Sequence, residues 1–465
     1  MIVVVGLSHR TAPINVRELI ALPRDVVPAV LSEIVAHPDV GEAMLVSTCN
    51  RVEVVAAGKH GFDGADLGRV AVQVSQALVQ RAPGLEGNLY QRLGGEGVRH
   101  LFRVASSLDS LVLGEPQILG QVKGAFETAR QAGTVGSALN RAVPRAIRTA
   151  KRVRSETAIG MGQVSVPSVS VDLAKQIFGD LKGRTVMLIG SGEMAETVAR
   201  LLGGGGARIL IVGRNKLRVA ELTRSVGGEG RQWEDVKATL VEADVVITST
   251  SAPTYVVDHD LVKSVRKQRR GRSLFFIDLA VPRDVDPRVE SLANTFLYNI
   301  DDFSKVVAGT LSSRQHEAER AERIVLEETQ GYRRWREVAQ MTPTIVALRE
   351  HFQRILAAEL ERSLKGRLKH LGPEEHQALN KMCEAALNKM LHHPTARLRE
   401  TAAEYGVESR PVEQLVAAID ELFVLEGEHP ELHALPDATA SAEPAEPDPE
   451  VELSGTHAAI GTRGR

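Results

Sequence analysis

The chain has 465 residues, 43% of them apolar, and a formal net charge of −2. That length exceeds one hydrophobic core, so several domains are expected, and the charge gives no overall sign of a nucleic-acid binder, leaving local clusters to carry one. Its two cysteines, Cys49 and Cys383, exclude a disulfide framework and fit no zinc spacing, so no metal site is legible. The start, MIVVVGLSHR, has neither a basic segment nor an apolar run of signal length, and no stretch approaches membrane-spanning length. A cytoplasmic chain without membrane contact is expected.

Ile2–Leu7 is a β-branched run and reads as a strand. Val16–Leu22 begins a helical pattern that breaks at Pro23. Met44–Ser47 and Val52–Ala57 read as further strands with Thr48–Arg51 between them, which puts Cys49 at a strand end, exposed on a rigid frame. Gly97–Arg130 is largely helical, but SSLDSLVLGEPQILGQVK interrupts it, and Gly114-Glu115-Pro116 must break the helix. Asn140–Thr157 reads as a basic helix. Arg141, Arg145, Arg148 and Arg152 share one face of it, joined by Lys151 and Arg154.

A second unit opens near Leu181. Thr185–Ile189 is continuously apolar, as in a buried parallel strand. Gly190-Ser191-Gly192-Glu193-Met194-Ala195 then gives G-x-G-x-x-A, leading into a helix over Glu193–Leu202. Gly190 permits a tight turn, Gly192 lets a pyrophosphate approach the backbone, Ala195 allows close helix–strand packing, and the helix N–H groups face the phosphate. The bland alternative is an ordinary strand–helix turn. Ala207–Val212, Asp244–Thr248 and Leu274–Asp278 complete a parallel, doubly wound sheet. After Val212 stand Arg214, Lys216 and Arg218, and no acid. A carboxylate would repel a 2′-phosphate that the planar fork of Arg214 can clamp, so the cofactor is expected to be NADP(H), with NADPH as reductant. Otherwise Arg214 is a solvated cation. Lys263, Arg266, Lys267, Arg269, Arg270 and Arg272 form a second cationic cluster; such runs are more often solvated faces than phosphate contacts.

From Asp301 to Gln340 there is scarcely a helix breaker, and the pattern stops before Pro343. Thr344–Glu426 reads as all-helical. Pro436–Arg465 is rich in Ala, Pro, Glu and Gly and is expected to be disordered. No internal repeat is visible. Cys49 is either a small buried hydrophobe or a nucleophile. A nicotinamide and an accessible thiol together suggest thiolate attack on an activated acyl carbonyl, then hydride reduction of the thioester to an aldehyde. Arg51 would favour the thiolate.

The segments GLSHRTAPINVRE, STCNRVEVV, VRHLFRVASSLDSLVLGEPQILGQVK, LIGSGEMAETVA and FFIDLAVPRDVDP together resemble glutamyl-tRNA reductase. The resemblance runs from Met1 to about Arg288 and continues more weakly through the helical C-terminal part; the Gly203–Gly206 run departs from it. It implies a multidomain α/β fold: an α+β catalytic domain over 1–157, a Rossmann-like NADP domain over 158–300, a spine helix over 301–340 and an all-α dimerisation domain over 341–428. The tail, 429–465, is outside it. The implied activity is NADPH-dependent reduction of glutamyl-tRNA(Glu) to glutamate-1-semialdehyde with release of tRNA. This is the first step of tetrapyrrole (5-aminolevulinate, porphyrin) synthesis. A V-shaped homodimer is implied, and an aminomutase that takes over the unstable aldehyde is a suggested partner.

Carried onto this sequence, the resemblance makes Cys49 the nucleophile. Glutamyl recognition falls on Thr48, Asn50, Arg51, Ser110, Glu115, Pro116, Gln117 and Gln121, and the cofactor turn on Gly190, Ser191, Gly192, Glu193, Met194 and Ala195. Arg51 would then fork onto the substrate carboxylate and Glu115 would accept from its ammonium, unless the two pair with each other. His100 falls on an activity-affecting histidine. It would take the thiol proton, protonate the departing ribose oxygen, or only hold the pocket's shape. His9 reads as structural and Cys383 as core. The basic faces are candidates for the tRNA backbone. Because thiol and nicotinamide lie on different domains, closure about a hinge near Asp301 is expected. Two other readings stay open: a small-molecule dehydrogenase in the manner of shikimate dehydrogenase, and a catalytically idle NADP-sensing or tRNA-binding module.

Overall fold

The computed structural model describes residues 1–59, 66–160, 165–203, 205–303, 312–407 and 409–423. The predicted tail, 429–465, and the segment 304–311 at the start of the predicted spine lie outside the described residues.

The N-terminal part is built on a 4-stranded antiparallel sheet in the order β2-β3-β1-β4, formed by β1 (Ile2–Ser8), β2 (Val40–Ser47), β3 (Arg51–Gly58) and β4 (Tyr90–Leu93). β1 is buried throughout and β3 up to its last residue, Gly58, because helices cover the sheet. Val16–Leu22 is not one helix: Ile14–Arg17 is a single helical turn that tightens into a 3₁₀ turn over Glu18–Ile20. Longer helices follow at Gly94–Ala105 (α4), Gln117–Gln131 (α5) and Ser137–Glu156 (α6), numbering the helices in chain order with Ile14–Arg17, Val27–Val35 and Leu67–Arg81 as the first ones. The predicted break falls where Pro116 caps α5: Glu115 lies outside both helices.

The middle part is a 6-stranded sheet, all parallel, in the order β10-β9-β8-β5-β6-β7. Its strands are β5 (Thr185–Ile189), β6 (Arg208–Val212), β7 (Glu229–Arg231), β8 (Val245–Thr248), β9 (Leu274–Asp278) and β10 (Thr295–Asn299). The edge strands escape a hydrophobicity reading for different reasons: β7 has only three residues, none of them buried, and β10 is mostly half-buried. Separate apolar clusters pack on the sheet's two faces, as a doubly wound sheet requires. The first strand, β5, has β6 on one side and β8 on the other. This is the topological switch point, where such sheets open a ligand crevice at their carboxyl ends.

A long helix, Ser312–Gln340, buries Ala321, Val325 and Tyr332 in the same apolar core as the N-terminal sheet. It is followed almost at once by Thr342–Lys365, with Pro343 in that helix's first turn, where proline is tolerated because its missing N–H has no helical partner. Pro373–Tyr405 and Arg410–Phe423 complete a helical cluster around Leu348, Leu387, Leu391 and Leu398. No described helix is long and apolar enough to cross a membrane.

Candidate active site at the domain interface

Thr48–Arg51 is the tight turn of the β2–β3 hairpin, closed by the Thr48 N–H donating to the Arg51 carbonyl at 2.8 Å. The Thr48 hydroxyl accepts from the Asn50 and Arg51 amides at 3.1 and 3.2 Å, a side-chain turn that fixes the loop. The Asn50 carbonyl is held by the His9 N–H at 2.8 Å. Cys49 is thus presented at the hairpin tip, half-buried, against an apolar cluster that contains Ile14 and Val112 of the N-terminal part and much of the nucleotide-domain core. Met194 of the glycine turn packs on the same cluster, and the Gln117 side-chain amide lies 3.5 Å from the Met194 sulfur. The cysteine turn and the cofactor turn therefore meet across one interface.

The charge environment of Cys49 differs from the sequence expectation. Burial pushes the thiol up to about 12, and Glu115 adds to the effect; Arg17 and then Arg51 pull the other way and are outweighed. Arg51 does not pair with Glu115; Glu53 and Asp109 engage its guanidinium. Its side chain is fully buried, with Nη1 donating to Glu53 Oε1 at 2.8 Å and Nη2 to the Asp109 carboxylate at 3.1 Å and the Asp109 carbonyl. The local reason is strand geometry: Arg51 and Glu53 are two apart on β3 and point to the same face. Glu53 also accepts from Tyr90 and lies 2.8 Å from His100 Nε2, which donates, since an ionised carboxylate can only accept. Burial alone would raise the Glu53 pKa, but Arg51, then His100 and the bonds from His100 and Tyr90, hold it well below the usual range. His100 is thus tied into a buried network, and no Cys49–His100 hydrogen bond occurs among the described residues. His9, beside the turn, is driven down to about 4 by burial and then by Arg51 and Arg10.

Glu53, Tyr90, Asp109 and Arg17 are the site neighbours that sequence reading missed. One signal was available: Glu53 interrupts the apolar run VEVV, and an acid there must be buried with partners.

Glu115 behaves differently. It is buried, and no cation of the described residues pairs with it; burial raises its pKa, against smaller pulls from Ser110 and Arg51. Its backbone carbonyl is held by the Ser107 hydroxyl at 2.7 Å and by Arg154 Nη2 at 3.1 Å, and Arg154 also holds the Pro116 carbonyl at 3.0 Å. Gly114 permits the turn. Its φ is +80°, and a Cβ there would meet the Ile159 carbonyl oxygen at 2.0 Å. Gln117 and Gln121 follow on one face of α5, both half-buried. Asn50 Oδ1 is buried and has no partner among the described residues.

On the nucleotide side, Gly190 has φ +123° and a Cβ there would press on the Ser249 carbonyl oxygen at 2.8 Å. Gly192 faces open space: a Cβ there meets nothing within 4 Å, and it caps the helix Glu193–Leu202. Ala195 is buried; Ser191 and Met194 are half-buried, Glu193 exposed. Arg214 is exposed beyond β6, its guanidinium 5.8 Å from the Trp233 ring centroid. These residues fit a dinucleotide, with an open glycine at a helix N-terminus where a pyrophosphate needs both.

The basic helix α6 is put to another use than expected. Arg152 pairs with Glu156, Glu327 and Glu328, and Arg145 with Glu328. Arg141 lies over Trp335, and Arg154 holds the Gly114–Pro116 turn. In the second cluster Arg269 is buried and donates to the Leu240, Val241, Ala243 and Ser273 carbonyls, and Arg272 pairs with Asp244. Arg148, Lys151, Lys263, Arg266, Lys267 and Arg270 remain exposed.

Comparison with known proteins agrees with this arrangement domain by domain. Residues 5–157 match the N-terminal domain of glutamyl-tRNA(Glu) reductase, 172–306 match shikimate/quinate 5-dehydrogenase, and 320–425 match the glutamyl-tRNA(Glu) reductase dimerisation domain. The glutamyl-tRNA reductase of Sorangium cellulosum is 48% identical, covering 99% of this chain and 90% of that protein. Glutamyl-tRNA reductase 2 of Anaeromyxobacter dehalogenans is 45% identical over 91% of this chain and 92% of its own length. The solved glutamyl-tRNA reductase of Methanopyrus kandleri is 30% identical, covering 92% of this chain and 99% of that one, with a TM-score of 0.47. With a dehydrogenase-like nucleotide domain that implies a nicotinamide cofactor, and with these near full-length relatives, the chain belongs to the glutamyl-tRNA reductase family, the oxidoreductases of the first step of tetrapyrrole biosynthesis.

Proposed function

We propose that this chain reduces the glutamyl group of glutamyl-tRNA(Glu) with NADPH, through a thioester on Cys49, and releases tRNA and glutamate-1-semialdehyde. The observation that carries the reading is the position of Cys49, within the influence of Glu115, a buried carboxyl without a salt bridge among the described residues, and on the apolar cluster shared with Met194 of the glycine turn. The sulfur attacks the ester carbonyl, the bond to the ribose oxygen breaks, and the thiol proton leaves with that oxygen. A nicotinamide held at the glycine turn would supply hydride to the thioester carbon; the carbon–sulfur bond breaks, giving the aldehyde and a Cys49 thiolate, which takes a proton from water.

Glu115 receives the substrate ammonium in this reading. That pairing also cancels one of the two influences that keep the thiol protonated, so the substrate itself favours the thiolate. Ser110, Gln117, Gln121, Thr48 and the open Asn50 Oδ1 offer the remaining polar contacts, with Pro116 fixing the start of α5. Arg51 acts from behind: its charge is divided between Glu53 and Asp109, and it shapes the turn instead of clamping the substrate carboxylate. His100, bound to Glu53, serves the same network. Gly190, Ser191, Gly192, Glu193, Met194 and Ala195 would hold the pyrophosphate. Arg214, with no acid at the end of β6, supports NADPH over NADH.

The C-terminal helices expose Val346, Ile355, Met382, Met390 and Leu422, apolar surface suited to a second copy in a homodimer. An aminomutase receiving the aldehyde and a cytoplasmic location complete the reading. Cys49→Ser should form no acyl-enzyme and release no NADPH-dependent aldehyde, with its fold and cofactor affinity unchanged. Aldehyde release at the wild-type rate would overturn the thioester.

A further inference from the structure

Among the described residues, a compact set of charged contacts joins the N-terminal segment Ile14–Ile20 to the nucleotide domain and to Asp301 beyond it. Arg17 Nη2 donates to Asp301 Oδ1 at 2.6 Å, and the Ile14 N–H donates to Asp301 Oδ2 at 2.9 Å. The next residue, Glu18, faces Arg283. Its carboxylate accepts from Arg283 Nε at 2.8 Å, Nη2 at 2.7 Å and the Arg283 N–H at 2.6 Å. The Glu18 and Arg283 side chains are only 15% and 16% exposed, so the pair is largely screened from water and its geometry is specific.

The loop that presents Arg283 is itself tied to the cofactor crevice. Asp278, at the end of β9, accepts from the Thr248 hydroxyl and from the Ala280 and Val285 amides at 2.9, 3.0 and 2.9 Å. Asp284 accepts from the Thr250 N–H at 2.7 Å and from its hydroxyl. Thr250 follows Ser249, whose carbonyl lies against Gly190 of the glycine turn. On the other side, Ile14 packs in the cluster that receives Cys49. A continuous set of contacts therefore runs from the glycine turn, through Thr250 and Asp284, to Arg283 and Glu18, and on to the segment beside the thiol.

We propose that Arg17 and Glu18 are positioning residues for the reduction half-reaction, which with Asp301 and Arg283 latch the nucleotide domain over Cys49. The proposal rests on the thioester reading above. It separates the two half-reactions: acyl transfer to Cys49 needs only the N-terminal pocket, whereas reduction needs the latch. An unlatched enzyme loads its thiol and then reduces slowly, leaving the thioester open to water.

The test uses the full-length protein and the variants Glu18→Gln and Arg283→Gln. Without cofactor, acyl transfer, read as release of free tRNA and glutamate bound to protein, should stay within about twofold of wild type. With NADPH, aldehyde formation should fall about tenfold or more, since small misplacements of reacting groups carry large rate costs. Amide hydrogen exchange gives a readout free of catalysis: the backbone amides at positions 14 and 283, which donate across the interface in the wild type, should exchange faster in both variants. The reversal Glu18→Arg with Arg283→Glu should recover part of the aldehyde rate and slow the exchange. Full aldehyde rates with unchanged exchange, or equal loss of both half-reactions, would overturn the latch. If wild type itself forms no acyl-enzyme, the thioester reading fails, while the exchange data still report whether the latch exists.

Discussion

Glu53 organises more of the pocket than the residues a motif would single out. It is 2% exposed and carries a negative charge there because Arg51, His100 and Tyr90 all converge on it. A buried carboxylate with several donors is stable only while all of them are present. Glu53→Gln removes the charge and leaves Asp109 as the one carboxylate bonded to Arg51 among the described residues, so a loss of about 2–3 kcal/mol in unfolding free energy is expected. The pH dependence has a definite sign. The folded-state pKa of Glu53 lies below its ordinary value of 4.5, so its stabilisation is fully present above that value and is lost as pH falls below it. Denaturant midpoints taken on either side of that value should show the acid-side loss shrinking in Glu53→Gln; a slope identical to wild type would mean that Glu53 is not held as a carboxylate.

At the scale of elements, the turn between α4 and α5 shows how far a sequence reads. Gly114-Glu115-Pro116 announced a helix break, and the break stands where it was expected, because proline and glycine act through local backbone chemistry. What the turn rests on was not legible. Gly114 sits against the Ile159 carbonyl and Arg154 clamps the turn from α6, contacts between residues far apart in sequence. The buried strands and the glycine turn are readable for the same local reason, whereas β7, three residues long, and β10, mostly half-buried, are not. At the site, the residue types are legible but not their pairing: strand alternation brings Arg51 to Glu53, and Asp109 reaches it from far along the chain. The turn makes a sharp prediction. Gly114→Ala must place a Cβ into a backbone carbonyl at positive φ, with an expected cost of about 2–4 kcal/mol and a raised KM for glutamyl-tRNA through Glu115. Gly120→Ala, inside α5 with nothing within 4 Å of its Cβ, should instead be neutral or stabilising by up to about 1 kcal/mol. Equal effects from the two would show that the turn is not constrained.

For the whole molecule, the question is what the basic face of α6 is for. Cations at helical spacing on a protein that handles tRNA invite a phosphate-binding reading, yet most of this face is turned to the long helix Ser312–Gln340. Arg152 bridges Glu327 and Glu328 at 3.0 Å each and Arg145 pairs with Glu328; beside this face, Arg103 of α4 pairs with Glu322 at 2.7 Å and the Ala158 N–H, just past α6, donates to Glu317 at 2.6 Å. Beneath these bonds Ala321 and Val325 share the N-terminal core. The long helix and the N-terminal part are thus one packed body, and it is the nucleotide domain that the Arg17 and Glu18 contacts fasten to it. The two roles for Arg152 predict different measurements. If Arg152 binds a phosphate, Arg152→Ala weakens tRNA binding and reduces the salt slope of log Kd by about 1. If it is a structural cation, the same substitution leaves that slope unchanged and lowers the unfolding free energy by about 1 kcal/mol, the scale of a partly exposed ion-pair network. The second outcome is expected, because Arg152 already has carboxylate partners on two elements. Arg148 and Lys151, exposed on the same helix, are where a change in salt slope should appear if α6 touches tRNA at all, and a reduced slope in Arg152→Ala with unaltered stability would reverse the assignment.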